Sequence, residues 1–222
     1  MGKPPERATR AASLGHRARI TVAERRELTV LCGDGDAHVR AVALSAVVRV
    51  GPRRDASIIW RAAMQDPDAS VRRRAAEVAP ALFAEVPVRA LITLLGDDEP
   101  LVAEAAAFAL GEHPRAGPHA SAALTGAATG HDDPLVREAA VAALGARGDA
   151  DTLPVVLRAC DDKPAVRRRA VLALAAFEGP EVEARLRQAL TDRDWQVRQA
   201  AEDLLGDQGD DASVRSAGRS GP

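Results

Sequence analysis

Aromatic residues are scarce in this chain. None of its 222 residues is a tyrosine, and phenylalanine and tryptophan together make up only 2% of the sequence. A hydrophobic core of this composition must be built largely from Ala, Val and Leu, which suits helices that approach each other closely. Large aromatic platforms for a ligand are therefore few.

Lysine is nearly absent as well, since only Lys3 and Lys163 occur among the 30 basic residues. Together with the heavy use of alanine, this arginine bias indicates the base composition of the genome rather than selection for phosphate binding. Only two cysteines are present, Cys32 and Cys160, and they match no CxxC pattern. We expect both to be small buried thiols near the ends of helices.

Long hydrophobic runs are missing. Nowhere do about 18 uncharged apolar residues follow one another, which is the length that a membrane-spanning helix needs. The first residues, Met1–Arg7, carry charges with no apolar stretch behind them, unlike a secretory signal. We therefore expect a soluble cytoplasmic protein with reduced thiols and no membrane partner. A length of 222 residues is enough for one folded domain.

Recognised catalytic motifs are absent too. The sequence contains no P-loop, GxGxxG, GxSxG or HExxH pattern. His119 and His131 lie at opposite ends of one predicted helix, about 18 Å apart at 1.5 Å per residue, which is too far to share a metal. The sequence therefore predicts no catalytic residue, no metal site and no cofactor, and it favours a protein that is not an enzyme.

The strongest feature of the sequence is a motif that recurs six times, which we call the phrase. It consists of an acidic residue, two further residues, a valine, usually an arginine, an alanine four residues after the valine and commonly a leucine eight after it. The intervals between the anchoring valines are 32, 31, 34, 30 and 31 residues, the period of a solenoid of helix pairs. The anchors are Val39, Val71, Val102, Val136, Val166 and Val197.

Each phrase predicts the start of a helix. The residue three before the anchor is Asp or Glu in five of the six repeats, which makes it a candidate N-cap. Pro100, Pro134 and Pro164 stand at the first helical position, where a missing N–H has no cost. Apolar residues recur at positions 1, 5, 8 and 9, counted from the anchor, and form one stripe that must be buried.

The stretches that precede the phrases predict a first helix for each repeat. They run over about ten to twelve residues. The first of them runs from Val22 to Cys32. Thr21, directly before it, and Glu24, inside it, have the spacing of a capping box. Trp60, on the next one, takes a position that is apolar in other repeats, so we expect it in the core.

These phrases resemble the HEAT-like repeats first described in phycobilisome lyase subunits, over roughly Thr21 to Gly206. The resemblance implies an all-α fold, a right-handed α-solenoid of about six HEAT-like helix-pair repeats, with second helices lining the concave side. It also implies a ladder of Asp–Arg hydrogen bonds through the turns, which Ala103 breaks in the third repeat. The arginines that match the ladder are Arg40, Arg72, Arg137, Arg167 and Arg198.

The composition divides the chain into three parts. Residues 1–20 carry a net charge of +4 and few apolar side chains, which predicts a mobile basic N-terminal arm. Residues 21–206 are predicted to form the repeat solenoid. Residues 207–222 are rich in Gly, Ser and Asp, which predicts a disordered C-terminal tail.

The face of the second helices opposite the buried stripe predicts a binding site. At position 7 of the phrase, three successive repeats carry the apolar residues Phe108, Ala142 and Leu172. The other three repeats have a polar or charged residue at this position. Exposed together, these side chains would form a hydrophobic floor for a partner peptide or helix. The alternative is that superhelical curvature buries them against their neighbours.

Charged residues on the same helices complete the predicted site. Glu104, Glu138 and Arg168 would form a rim of mixed sign around the apolar floor, as at a protein-binding groove. Trp195, at the first helical position of the last repeat, either anchors a partner or covers the hydrophobic end of the solenoid. Its exposure distinguishes these two roles.

The favoured function is a non-enzymatic scaffold or adaptor that holds a partner protein or peptide on the concave face. An alternative is nucleic-acid binding through surplus arginines beyond the ladder, which the net charge of −2 disfavours. These arginines are Arg73, Arg74, Arg168 and Arg169. The resemblance also implies a third alternative, a chaperone or lyase-subunit role towards a cofactor-bearing client.

Overall fold

The computed structural model describes the backbone of residues 2–217 and the side chains of residues 2–206. All regular secondary structure in these residues is helical, which confirms the predicted all-α fold. Short 3-10 turns occupy Ala79–Leu82, Ala150–Thr152 and Leu174–Ala176. The α-helices are α1 (Pro4–Gly15), α2 (Val22–Leu31), α3 (Ala37–Val50), α4 (Arg53–Ala63), α5 (Ala69–Val78), α6 (Val88–Leu95), α7 (Pro100–Glu112), α8 (Gly117–Gly130), α9 (Pro134–Arg147), α10 (Leu153–Ala159), α11 (Pro164–Ala173), α12 (Pro180–Ala189) and α13 (Trp195–Ala217).

The helices form six successive pairs. Each even-numbered helix from α2 to α12 packs against the odd-numbered helix that follows it, and within each half of the chain the odd-numbered helices pack on one another. We call the even-numbered members first helices and the odd-numbered members from α3 onward second helices. This arrangement is an α-solenoid of helix pairs, as the period of the phrase predicts.

The second helices begin where the phrase predicts. The carboxylate of Asp36 accepts a hydrogen bond from the Val39 N–H at 3.1 Å, and that of Asp133 accepts one from the Leu135 N–H at 2.8 Å. Glu99 is the exception, because its side chain caps no backbone N–H of α7. Each side-chain cap stabilises its helix by about 1 kcal/mol.

The predicted apolar stripe is buried. All six anchoring valines are at most 2% exposed. Trp60 is completely buried, and its indole N–H donates a hydrogen bond to the Ala75 carbonyl at 2.6 Å. The prediction that Trp60 belongs to the core is therefore confirmed. Its polar N–H is satisfied inside the core, as a buried indole requires.

Ion pairs between successive repeats form the predicted ladder. In each, one arginine donates from Nε and Nη2 to both oxygens of an aspartate in the following turn, at 2.6 to 2.9 Å. The hydrogen bond from Arg72 holds the pKa of Asp97 below its usual value, and Arg137 has the same effect on the pKa of Asp162. The pairs in the described residues are Arg7–Asp34, Arg40–Asp66, Arg72–Asp97, Arg137–Asp162 and Arg167–Asp192.

A third nitrogen of the ladder arginine donates to the turn that precedes the arginine's own helix. Nη1 of Arg72 donates to the backbone carbonyl of Asp66 at 2.9 Å, and Nη1 of Arg167 donates to that of Asp162 at 3.0 Å. One guanidinium thus joins the turn before its helix to the turn of the next repeat. The planar fork of arginine provides this geometry, and a lysine ammonium does not.

The chain divides after Ala116 into two compact units, residues 1–116 and 117–222. The sequence predicts one repeat solenoid over residues 21–206, with a long connector at residues 111–118. In the first unit, Ala103 fills the ladder position of α7 with a fully buried methyl group. In the second unit, His131 stands where other turns have the ladder aspartate, and its Nδ1 accepts the Asp133 N–H at 3.1 Å. The ladder residues are thus replaced on each side of the division.

The N-terminal segment differs from the expected mobile arm. Residues 4–15 form α1, which packs against α3, with Ala11 and Leu14 completely buried. A Cβ atom added at Gly15 would lie 2.8 Å from the Cβ of Ala46, so the two helices approach closely at this point. Arg7 also donates to Asp34 at 2.6 and 2.7 Å. Helix α1 therefore behaves as one more second helix.

The sequence carried a signal for α1 that the valine-anchored phrase did not capture. Glu6 stands at the anchor position of α1, where the six repeats have valine, so the motif is not recognised there. The surrounding positions still match those of α9. Pro4, Arg7, Leu14 and Gly15 have the same spacing as Pro134, Arg137, Leu144 and Gly145. The C-terminal tail expected over residues 207–222 lies outside the residues whose side chains are described.

Candidate functional site

The apolar residues at position 7 point away from the buried stripe. Phe108 on α7 is 58% exposed and Leu172 on α11 is 38% exposed. Ala109 and Leu110, which follow Phe108, are completely buried, because successive helical residues are rotated by 100°. The alternative that neighbouring helices cover Phe108 and Leu172 is therefore excluded within the described residues.

In the second unit, two second helices present such residues side by side. Helices α9 and α11 pack closely, since a Cβ atom added at Gly145 would lie 2.6 Å from the Cβ of Ala173. Ala142 on α9 is half-buried and Leu172 on α11 is exposed, both at position 7. The small side chains on α9 leave Leu172 as the prominent apolar group of this surface.

Charged residues flank this surface on the same two helices. Arg169 of α11 and Glu138 of α9 form a long ion pair, with 3.5 Å between Nη2 and Oε1. Arg168 is half-buried, and its Nε atom is buried without a hydrogen-bond partner among the described residues. Within that part of the chain no carboxylate forms an ion pair with Arg168. Its charge is available to a bound carboxylate.

In the first unit, Phe108 has one of the predicted rim residues beside it. Glu104 lies one helical turn earlier on α7 and is half-buried. Residues at this spacing share a helix face. The predicted site therefore separates into two surfaces, each described within its own unit. They are the α7 patch, made of Glu104 and Phe108, and the α9/α11 patch, made of Glu138, Ala142, Arg168 and Leu172.

Trp195 is 64% exposed at the start of α13. A tryptophan that covered the hydrophobic end of the solenoid would lose most of this exposure. Of the two roles expected for Trp195, its position therefore favours that of an anchor for a partner. Exposed tryptophan is rare and is enriched at protein interfaces.

Three of the four arginines of the nucleic-acid alternative form ion pairs within the described residues, and Arg168 does not. Arg73 and Arg74 both form ion pairs with Glu77, each at 2.8 Å. Arg72 and Arg167, which open the two arginine triplets, belong to the ladder. Local carboxylates thus balance most of the positive charge, which reduces the attraction for a phosphate backbone.

The His, Cys, Asp and Glu side chains of the described residues form no metal cluster. No group of three His, Cys, Asp or Glu side chains there could hold a metal ion. Burial raises the pKa of Cys32 to about 12 and also raises that of Cys160. Both thiols are therefore protonated at neutral pH and poor nucleophiles. No helix in residues 2–217 is long and apolar enough to cross a membrane.

A polar network in the second unit was not predicted from the sequence. Arg147, at the end of α9, donates from Nε to Ser121 Oγ at 2.8 Å and from Nη2 to Asp149 at 2.9 Å. The same guanidinium donates to the Gly117 carbonyl at 3.1 Å, and Ser121 donates to Asp149. The network lines a groove of about 560 Å³ beside the start of α8. Its residues lie outside the repeated phrase, so the phrase gives no signal for them.

The chain shares the pattern of a known repeat family. A family profile described as HEAT repeats matches residues 88–165 and 158–216, which together are more than half of the chain. The chain belongs to the HEAT-repeat family. This membership confirms the resemblance inferred from the valine-anchored phrase. No curated protein sequence matches this HEAT-repeat chain.

Several solved structures share the solenoid fold of this HEAT-repeat chain. YibA from Escherichia coli is similar with a TM-score of 0.65 and 16% identity, over 97% of this chain and 79% of YibA. The complex of CpcE and CpcF of phycocyanin lyase from Nostoc sp. PCC7120 gives a TM-score of 0.60 and 23% identity, over 86% of this chain and 78% of the other. A designed armadillo repeat protein gives 0.52 and 15%, over 92% and 99%. At these identities the likeness shows the fold alone.

Proposed function

We propose that this HEAT-repeat chain is a non-enzymatic scaffold that binds a partner protein or peptide on the exposed face of its second helices. The exposure of Phe108 and Leu172 at a repeat position where other second helices carry Ser45, Glu77 or Asp203 supports the proposal. Removing a large apolar side chain from water lowers the free energy, and an apolar group within a polar rim is typical of a protein-binding surface.

The α9/α11 patch has the chemistry of a peptide site. Leu172 provides an apolar contact, and the small Ala142 leaves space beside it for a side chain of the partner. Arg168 offers an unpaired positive charge, while Glu138 is the acidic group of the same surface. A short segment with one apolar anchor and an acidic neighbour fits this combination.

The other two functions receive no support from a specific contact. Nucleic-acid binding would need several free arginines, and of the four candidates only Arg168 lacks an ion pair within the described residues. A lyase-subunit role towards a cofactor-bearing client rests on a likeness of 23% identity, which carries the fold and not the role. We therefore propose protein binding alone.

A quantitative pull-down tests this proposal. Tagged wild-type protein and the variants Phe108→Asp and Leu172→Asp are compared as baits in the native cytosol, and both protein and nucleic acid are measured in the eluate. We expect one protein to be enriched with the wild-type bait. The recovered amount of that protein should fall about tenfold or more with at least one variant, since a buried carboxylate in an apolar contact is costly. Circular dichroism confirms that each bait is folded.

The matched control is Ile58→Asp. Ile58 is as exposed as Phe108, at 58%, but it lies on a first helix, α4. The control bait should retain the partner. If both position-7 variants retain every enriched protein, or if Ile58→Asp loses the same protein to the same extent, the second-helix site is wrong. Enriched nucleic acid would instead support the arginine alternative.

A further inference from the structure

One helix of the first unit presents an apolar stripe to the solvent. Leu101 and Phe108 on α7 are 47% and 58% exposed, and Ala105 between them is half-buried. At 100° per residue these three side chains lie within an arc of about 60° around the helix. The opposite face of α7 is buried. We call Leu101, Ala105 and Phe108 the α7 stripe.

The spacing of the α7 stripe is that of a helix-packing seam. Its members follow one another at intervals of four and three residues, the alternation of the a and d positions of a heptad. A further helix that lies along α7 can insert its own apolar side chains between them. The stripe therefore has the geometry that receives an amphipathic helix.

The register between second helices shows which flank of the stripe faces which helix. In the second unit, Glu138 at position 3 of α9 contacts Arg169 at position 4 of α11, at 3.5 Å. Position 3 therefore faces the following second helix, and position 4 faces the preceding one. At the equivalent positions of the first unit, Arg73 of α5 faces α7 and Ala105 of α7 faces α5.

The flank of the α7 stripe towards α5 is cationic. Helix α5 packs against α7 and exposes Arg73 and Arg74, whose side chains are each 44% exposed. Both arginines contact Glu77 at 2.8 Å. Two positive charges and one negative charge leave this flank with a net positive charge.

The other flank is acidic. Glu104, at position 3 of α7, lies on the side away from α5 and is half-buried. Glu112, in line with the stripe at the end of α7, is exposed. The turn before α7 adds the exposed Asp98 and Glu99, and the exposed Arg115 follows three residues after the helix. The α7 stripe is thus bordered by opposite charges on its two flanks.

We propose that the α7 stripe docks an amphipathic helix of a partner protein that carries acidic residues along one edge and basic residues along the other. The acidic edge would face Arg73 and Arg74, and the basic edge would face Glu104. Since the two flanks differ in charge, they favour one direction of the bound helix. This inference rests on the proposed function, because Phe108 belongs to both, and it adds the conformation and the charge pattern of the partner.

The size of the stripe argues against a second copy of the chain as the occupant. Helix α7 has 13 residues, so it is about 20 Å long, and a helix is about 10 Å wide. Contact along one helix of this size buries much less than about 800 Å² per partner, the area of a standard stable interface. A short helix of a transient partner matches this size.

Three synthetic peptides test the proposal. Each has the length of α7, a lactam bridge that holds it helical, and leucine at i, i+4, i+7 and i+11. The first has glutamate on one edge and lysine on the other, the second has glutamate on both edges, and the third has lysine on both. Fluorescence anisotropy of the labelled peptides measures their affinity for the full-length protein. We expect the mixed-charge peptide to bind about fivefold or more tightly than either of the others.

Variants of the protein identify the surface that binds. Leu101→Asp and Phe108→Asp should each weaken the mixed-charge peptide by about tenfold or more, because each places a carboxylate in an apolar contact. The double variant Arg73→Glu/Arg74→Glu makes both flanks acidic, so the peptide with lysine on both edges should then bind most tightly. Circular dichroism confirms that each variant is folded.

The matched control is again Ile58→Asp. Ile58 lies on a first helix of the same unit and is as exposed as Phe108. This substitution should change the affinity of each peptide by less than about twofold.

Four results would overturn the proposal. They are no saturable binding at millimolar peptide, an affinity that Leu101→Asp leaves unchanged, an order of affinities that Arg73→Glu/Arg74→Glu leaves unchanged, and a dimer of the protein alone that Leu101→Asp dissociates in sedimentation experiments. The last result would identify a second copy as the occupant. The two proposals fail separately, since a pull-down partner that is lost with Phe108→Asp and retained with Leu101→Asp would support the scaffold and contradict the docked helix.

Discussion

A single side chain, the ladder arginine, joins successive repeats. Arg137 donates to Asp162 at 2.7 and 2.8 Å and to the His131 and Asp132 carbonyls at 2.8 and 2.9 Å, so all three of its guanidinium nitrogens have fixed partners. Its side chain is only 14% exposed. Since Asp162 is partly buried as well, loss of the bidentate contact leaves a carboxylate poorly solvated.

We predict that Arg137→Lys lowers the free energy of unfolding by about 1–3 kcal/mol, because lysine keeps the charge and loses the planar fork. Urea denaturation followed by circular dichroism measures this change. Arg187→Lys is the control, since Arg187 and Glu183 form an ion pair with side chains 65% and 52% exposed. The control substitution should lower the free energy of unfolding by about 0.5 kcal/mol or less. Equal losses for both variants would show that geometry does not matter in the ladder.

Whole helices differ in how closely they can approach, and two glycines of the second unit illustrate the contrast. Gly126 lies in α8 with no atom within 4 Å of the place where a Cβ would stand. Gly145 lies in α9 with Ala173 of α11 at 2.6 Å from that place. Gly126 therefore weakens its helix without a packing reason, whereas Gly145 permits a helix contact.

The two glycines should respond oppositely to alanine. Gly126→Ala should raise the free energy of unfolding by about 0.5–1 kcal/mol, because alanine restricts the unfolded chain and fits the open space. Gly145→Ala should lower it by about 1–3 kcal/mol, because the added methyl overlaps Ala173 and separates the helices. Thermal unfolding of the two variants beside the wild type gives both values. A stabilising Gly145→Ala would mean that α9 and α11 are not in contact at this residue.

Across the whole molecule, the ladder places bound carboxylates in both compact units. Asp34 and Asp97 belong to the first unit, and Asp162 and Asp192 belong to the second. In each case the largest effect is the hydrogen bond from an arginine, which holds the pKa of the aspartate below its usual value. These groups bind protons more weakly in the folded protein than in the unfolded chain.

Acid should therefore destabilise the protein. A depressed carboxylate pKa contributes stability that is present above the unfolded pKa of about 3.9 and is lost as the pH falls through the folded value. We expect the free energy of unfolding to fall steadily as the pH is lowered from about 5 to about 3. Urea denaturation at several pH values measures the slope. Asp162→Asn removes one such group and should give a shallower slope, and an unchanged slope would contradict the role of that pair.

Local sequence determined the helices of the repeats. Asp36 and Asp133 cap them, Pro134 starts α9, and the anchoring valines are buried as the 3.6-residue periodicity predicts. These signals act within about ten residues, so they can be recognised without knowledge of the fold. The ladder arginines followed from the same phrase once the repeat family was recognised. The exposed position-7 side chains also followed from helical geometry.

Tertiary structure alone decided which distant residues meet. It placed α1 against α3 although Glu6 replaces the anchoring valine, and it joined Arg147 to Ser121 across 26 residues of sequence. It also left Trp195 exposed. A periodic phrase specifies which face of a helix is apolar. The partner that covers that face is specified by packing between segments far apart in the chain, and sequence periodicity does not contain that information.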